Sequence, residues 1–261
     1  MTLRLTNCLA ANFDGPLRAL AARWGARFDD TLPWQAREQL VDDGRVEVAW
    51  TCGLLFALKD RARAGVWEPF AAPVMAAAHY RDRPVYFTEV VVRAGSGYER
   101  LEHLRGARFV YNDRQSLSGC HALRDLRAQQ RGLEPVHTIV SGGVMSGGHL
   151  RSLAYLRAGD ADFALIDSTV LEAWRRTEGS ETQQETQHEV RSLARLGPYP
   201  SPPLLVRADV APEVRSALRR EVLSAHERCG VALRAAGIAR FVAAEARDYD
   251  RLRAYVPDGA G

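Results

Sequence analysis

Lysine is almost missing from this 261-residue chain: Lys59 stands alone, and every other basic residue is an arginine. That bias reads as the mark of a GC-rich genome rather than as chemistry. The net charge of +3 is too small at this length to argue for a nucleic-acid partner. No apolar run approaches the roughly 18–20 residues that cross a bilayer, so no membrane span is expected. The start, Met1-Thr2-Leu3-Arg4, lacks a basic segment followed by a long apolar one, which leaves no secretory leader to read. The expectation for the chain as written is cytoplasmic, and periplasmic should a leader precede it. Cys8, Cys52, Cys120 and Cys229 are widely spaced with no CxxC pair, so they read as ordinary thiols. There is no HExxH and no cluster of His and Cys, hence no metal site. There is no Walker A loop, no GxGxxG and no GxSxG elbow. No cofactor and no catalytic residue is expected on these grounds.

What is present is ordinary globular material. Hydrophobic residues make up 46% and charged residues 26%, enough to build a core and to exclude disorder as the main state. The length suits one large domain or two smaller lobes. Strand and helix signals alternate. Strands are expected at Leu3–Cys8, Ala26–Phe28, Val46–Trp50, Arg108–Tyr111, Val136–Ser141, Asp162–Ile166 and Leu204–Arg207. Helices are expected at Gly15–Trp24 (with Asp14 as N-cap), Pro33–Asp43, Gly53–Ala64, Gly119–Gln130, His149–Arg157, Ala211–Arg228 and Ile238–Glu245. Phe70–Ala77 and Val85–Arg93 look extended, and Tyr98–Leu104 a short helix. Thr177–Glu189 reads as an exposed loop, and Pro198, Pro200, Pro202 and Pro203 as a break in regular structure. The alternation argues for an α/β architecture with mostly parallel sheets flanked by helices. In such folds ligands sit beyond the carboxyl ends of strands, at helix starts.

Two segments occupy such places. Tyr111-Asn-Asp-Arg-Gln-Ser116-Leu117-Ser118-Gly119 follows a strand and opens a helix. Its two hydroxyls and its backbone N–H groups can converge on an oxyanion without a lysine or a metal. They can equally be plain helix caps. Ser141-Gly-Gly-Val-Met-Ser-Gly-Gly148-His149 again links strand to helix; its glycines allow close backbone approach, and His149 can donate to an anion. Thr51-Cys52-Gly53 is a third helix start. Trp34 and Tyr86 are aromatics near loop positions. Ser118, His149 and Asp167 could be assembled into a nucleophile triad, but the elbow that such a serine needs is missing.

Read in order, these segments resemble the phosphate, phosphite and phosphonate substrate-binding proteins of ABC transporters. Val46-Glu-Val-Ala-Trp50, Tyr86-Phe-Thr-Glu-Val-Val-Val92 and Leu101-Glu-His-Leu-Arg-Gly-Ala-Arg-Phe109 are similar to three stretches of that family. So are Asn112-Asp-Arg-Gln-Ser-Leu-Ser-Gly119, Gly148-His149 followed by Gly159-Asp-Ala-Asp162, and Leu196-Gly-Pro-Tyr-Pro200. The resemblance covers about residues 45–225. It implies a two-lobed clamp of the type II periplasmic-binding-protein kind. Lobe one would be 1–92 with 199–261, lobe two 93–198, and the hinge near 92–94 and 197–200.

The resemblance further implies that Ser116, Leu117, Ser118 and Gly119, with His149, hold the oxygens of a small oxyanion or phosphonate. Tyr86 and Trp34 would line the pocket. Leu117 stands where the family has a threonine, which removes one hydroxyl but keeps its N–H. Binders of aminoalkyl phosphonates carry an acid after the Pro-rich stretch; here Ser201-Pro-Pro203 has none, and an unpaired ammonium would be costly there. The expected protein is therefore a monomeric, non-enzymatic solute binder with an ABC permease as partner. The alternative is a cytoplasmic enzyme or sensor on the same clamp, with His149 as acid or base near Asp167.

Overall fold

The computed structural model describes residues 2–33, 36–130, 133–177 and 189–255. In chain order its elements are β1 (Arg4–Asn7), α1 (Asp14–Arg23), β2 (Arg27–Phe28), α2 (Glu38–Asp42), β3 (Val48–Trp50), α3 (Gly53–Ala62), β4 (Trp67–Met75), β5 (Val85–Arg93), β6 (Phe109–Tyr111), α4 (Leu123–Gln129), α5 (Val136–Ser141), β7 (Val144–Met145), α6 (His149–Ala158), β8 (Phe163–Asp167), α7 (Ser168–Thr177), β9 (Val190–Pro200), β10 (Leu204–Arg207), α8 (Pro212–Leu223), α9 (Ala225–Arg228), α10 (Gly230–Ala235) and β11 (Ile238–Ala243). They form two compact units, Met1–Val85 with Pro200–Gly261, and Tyr86–Tyr199.

The first unit is built on a six-stranded sheet in the order β11-β4-β10-β3-β1-β2. Its core comes from the central strands, where Leu5, Val48, Ala49, Trp50, Leu204 and Leu205 are fully buried. Trp50 packs against Phe13 at 5.0 Å and Phe241 at 5.6 Å, and its indole N–H donates to the Pro202 carbonyl at 3.0 Å. Helix α1 buries Leu17, Leu20 and Ala21, the stripe that the spacing predicts. Asp14 is the first residue of that helix rather than its N-cap. Its carboxylate instead accepts from Asn7 Nδ2 and Arg37 Nη1, both at 2.7 Å.

The second unit carries a five-stranded sheet, β7-β6-β8-β5-β9. Its core gathers Val91, Val110, Leu153, Leu156, Ala164, Ile166 and Leu171. Strand β5, expected in lobe one, pairs here, with Thr88 opposite Asp167 and Val92 opposite Phe163.

Several expectations need correction. Pairing is mixed rather than mostly parallel. β1 with β2 and β3, and β6 with β7 and β8, run parallel. β10, β4, β11 and β5 run against their neighbours; β5 is the strand that brings the chain into the second unit, and β10 the one that brings it back into the first. Val136–Ser141 is a helix with no buried side chain, not a strand. The sheet edge beside β6 that it would have taken is held by β7. Ile238–Ala243 is a strand, not a helix: it leaves the turn at Gly237 (φ 75°) and pairs antiparallel along β4. The prolines at 198 and 200 do not break structure, since β9 runs through them. As an end strand of its sheet, β9 has a side where a missing N–H costs no ladder bond. The helix expected over 211–228 is divided at Ser224 into α8 and α9. Most of the polar stretch 177–189, Trp34, and the tail 257–261 lie outside the described residues.

Candidate functional site

In the second unit the chemistry gathers where the parallel strands β6 and β8 end. After Tyr111 the chain turns through Asp113, whose Oδ1 accepts from the Gln115 N–H at 2.7 Å. Ser116 caps the helical turn beyond it, its Oγ accepting from the Gly119 N–H at 3.0 Å. This turn is wider than an α-turn. His121 N–H reaches back to the Ser116 carbonyl at 3.0 Å, and Ala122 N–H to the Leu117 carbonyl at 2.8 Å, five residues in each case. Such expanded turns recur at functional sites. The first amides of the turn, those of Leu117 and Ser118, have no carbonyl one turn earlier to receive them. From β5, Thr88 Oγ1 donates to the Ser118 carbonyl at 3.2 Å and fixes the turn from behind.

His149, the first residue of α6, meets this turn. Its Nε2 lies 3.3 Å from Ser118 Oγ and 3.3 Å from Asn112 Nδ2. Gly119 makes that approach feasible: a Cβ there would fall 1.7 Å from Asn112 Oδ1 and 3.0 Å from His149 Cε1. The glycine-rich loop before His149 is tied to the end of β6. Ser146 N–H donates to the Tyr111 carbonyl at 2.7 Å and Gly147 N–H to the Asn112 carbonyl at 2.9 Å. The buried Ser146 hydroxyl sits 2.7 Å from Ser152 Oγ.

Packing around the ring strips it of water and drives the His149 pKa down to about 4; the neighbouring Leu165 backbone offsets this only in part. The imidazole is therefore neutral at pH 7. Burial pushes Asp167 the other way, up to about 6, despite the bonds it receives from Thr169, whose N–H and Oγ1 donate at 2.8 and 2.6 Å. Ser118 and His149 thus meet, but Asp167 is engaged with Thr169 rather than with the His149 ring, which has the Leu165 backbone as its neighbour. A nucleophile triad is not formed. Burial also raises Cys8 to about 12 and Cys120 to about 11, so neither is a thiolate. Among the described residues, no group of three His, Cys, Asp or Glu side chains could hold a metal. No described helix is long and apolar enough to cross a membrane.

The expected residues Ser116, Leu117, Ser118, Gly119 and His149 come together in one place. Leu117 is fully buried. Tyr86 lies in the same unit, buried, with its ring 5.7 Å from that of Tyr199. Trp34 is outside the described residues. Sequence reasoning missed Asn112, Thr88 and Ser146. Asn112 and Ser146 stand inside the serine segment and the glycine-rich segment, yet nothing in their spacing separates a supporting side chain from a loop one.

The family of periplasmic substrate-binding proteins of phosphonate ABC transporters matches residues 14–249. The chain belongs to that family. Its members are solute binders, so the enzyme alternative is set aside, and a periplasmic family runs against the cytoplasmic expectation. Among solved structures, the chain is similar to a binding protein component of an ABC phosphonate transporter from Pseudomonas aeruginosa. That similarity has a TM-score of 0.78 and 17% identity, over 97% of this chain and 85% of the other. It is also similar to PhnD1 of Prochlorococcus marinus in complex with methylphosphonate, with a TM-score of 0.75 and 14% identity, over 97% and 96% of the two chains. XAC2383 of Xanthomonas citri, solved with ATP, is similar with a TM-score of 0.63 and 20% identity, over 98% and 99%. At these identities the likeness is one of fold. Among curated proteins, none matches the chain at a significant level.

Proposed function

We propose that this member of the phosphonate-binding family works in the periplasm, capturing a small phosphonate- or phosphite-like oxyanion and delivering it to an ABC permease. The chain crossings near residues 85–86 and 199–200 would serve as its hinge. Ser116, Ser118 and the amides of Leu117 and Ser118, backed by His149, form the oxyanion cradle, with Tyr86 as further lining. The observation that carries this reading is the 3.3 Å approach of Ser118 Oγ to His149 Nε2 at the end of β6. It sets a hydroxyl beside an imidazole in a turn whose first two amides have no carbonyl one turn earlier, which supports an oxyanion reading. The hydrogen bonds that tie Ser116, Ser118, Asn112 and His149 into the cradle involve no arginine or lysine. The absence of an acid after Pro200 favours simple over amino-substituted phosphonates.

Calorimetric titration with methylphosphonate, phosphite, phosphate, 2-aminoethylphosphonate and carboxylate metabolites tests this. A phosphorus oxyanion should bind at one site per chain, and Ser118→Ala should weaken it about 10- to 100-fold, the worth of one bond to a charged group. Tight binding of a carboxylate alone, or full affinity in Ser118→Ala, would discard the ligand class or the site.

A further inference from the structure

Two hydroxyls of the first unit are buried and idle. Thr51 and Ser201 are each 1% exposed, and among the described residues neither Thr51 Oγ1 nor Ser201 Oγ has a hydrogen-bond partner. The buried hydroxyls of Thr6, Thr88 and Ser146 each have one. Leaving a buried polar group unpaired costs stability, so such a pair calls for an occupant. Both stand at the start of α3. Strands β3 and β10 pair antiparallel, with Trp50 opposite Leu204. Beyond that pair the Thr51 N–H still donates to the Pro203 carbonyl at 3.2 Å, and the same register carried two residues on sets Ser201 against Gly53. Tyr249 holds them there. Its hydroxyl donates to the Ser201 carbonyl at 3.0 Å, and its ring packs on Gly53, where a Cβ would lie 3.0 Å from Tyr249 Cδ1 and 2.9 Å from Leu252 Cδ1. Gly53 opens a ten-residue helix whose N-cap, Cys52, makes no side-chain cap bond. The first amides of that helix have no carbonyl one turn earlier, and the helix dipole gives them partial positive charge.

Thr51, Ser201 and these amides are all uncharged groups with a hydrogen to donate. The carboxylates that border this end of the sheet, Asp14 and Glu38, are held by Arg37 and Lys59, so an ammonium would find no counter-charge. A carboxylate has two acceptor oxygens, one for each hydroxyl, and its charge suits the helix start. We propose that the first unit has a binding site of its own, in which Thr51, Ser201 and the opening amides of α3 take a carboxylate. All of these groups belong to the first unit, so the site does not depend on the oxyanion cradle of the second.

The test uses the full chain, labelled with nitrogen-15, and acetate as the probe. Titration should move the NMR signals of the Gly53 and Leu54 amides to a plateau. Thr51→Val and Ser201→Ala should each weaken that response about tenfold, the worth of one bond to a charged group. Neither should lower the Tm of the ligand-free protein, because an idle hydroxyl has no bond to lose. A fall in Tm would show a bond already in place and overturn the proposal. Amides that acetate leaves unmoved, or a response unchanged in both variants, would do the same. A long-lived water at Thr51 that acetate does not displace would mark a structural water only and also overturn it. If Thr51→Val weakens methylphosphonate and not acetate, the hydroxyls serve the phosphorus oxyanion and the carboxylate is wrong. Acetate bound here with no phosphorus oxyanion bound anywhere sinks the function proposed above and leaves this site standing. The reverse result removes the site and leaves that function.

Discussion

Tyr199 donates its phenol hydrogen to Asp125 Oδ2 at 2.5 Å, joining the last residue of the second unit to the helix that leaves the serine turn. The same Tyr199 ring packs on Tyr86, the first residue of that unit, so both chain crossings are fastened to one helix. Tyr199→Phe keeps the ring and removes the bond to a charged group. It should cost about 1.5–3 kcal/mol, read as a fall in Tm of roughly 2–4 °C per kcal/mol for a chain of this size. An unchanged Tm would show that the contact contributes nothing to stability.

Gly119 has no space for a side chain. Gly119→Ala should push Asn112 and His149 off the turn, abolish oxyanion binding and destabilise by about 1–3 kcal/mol. Gly95→Ala is the control, because a Cβ there meets nothing within 4 Å. Equal behaviour of the two variants in titration and thermal melts would refute the crowding argument.

Leu117 is fully buried, so its side chain serves the core, and in the proposed cradle only its amide meets the ligand. Leu117→Ala should cost about 2–5 kcal/mol in denaturant unfolding. Leu117→Thr should destabilise through a buried hydroxyl and gain no affinity. A tighter ligand in Leu117→Thr would mean that position 117 reaches the ligand after all.

His149 and Asp167 pull the pH profile of stability in opposite directions. The His149 pKa falls from 6.5 to about 4 on folding, so between those values the unfolded chain holds more protons and stability rises with pH. The Asp167 pKa rises from 3.8 to about 6, so over that range the folded chain holds more protons and stability falls as pH rises. The two slopes overlap from about 4 to 6 and largely cancel. Urea unfolding of the native protein should therefore give a shallow profile there. Asp167→Asn should expose a climb with pH, and His149→Gln a decline. Parallel profiles in all three proteins would rule the coupling out.

The parts legible in the sequence were those with a local cause. The apolar run of Val46–Trp50 and the amphipathic spacing of α1 decide their own burial, and the serine segment and His149 could be picked out from strand-to-helix position. What escaped was decided at a distance. Ile238–Ala243 has an alanine-rich, helix-tolerant composition, and only its pairing with β4 makes it a strand. Val136–Ser141 is rich in β-branched residues but finds no partner strand beyond β7. Asn112 and Thr88 support the site through bonds spanning 37 and 30 residues, which no local spacing encodes.

The cradle proposed around Ser118 is made of hydroxyls, amides and an uncharged ring. Long-range attraction between formal charges is what ionic strength erodes, over a Debye length of about 8 Å at physiological salt. Hydrogen bonds at about 3 Å in a dry site escape most of that erosion. Capture by such a cradle gives up the fast, charge-steered encounter of an arginine-lined cleft and keeps its grip as the surroundings turn from dilute to brackish.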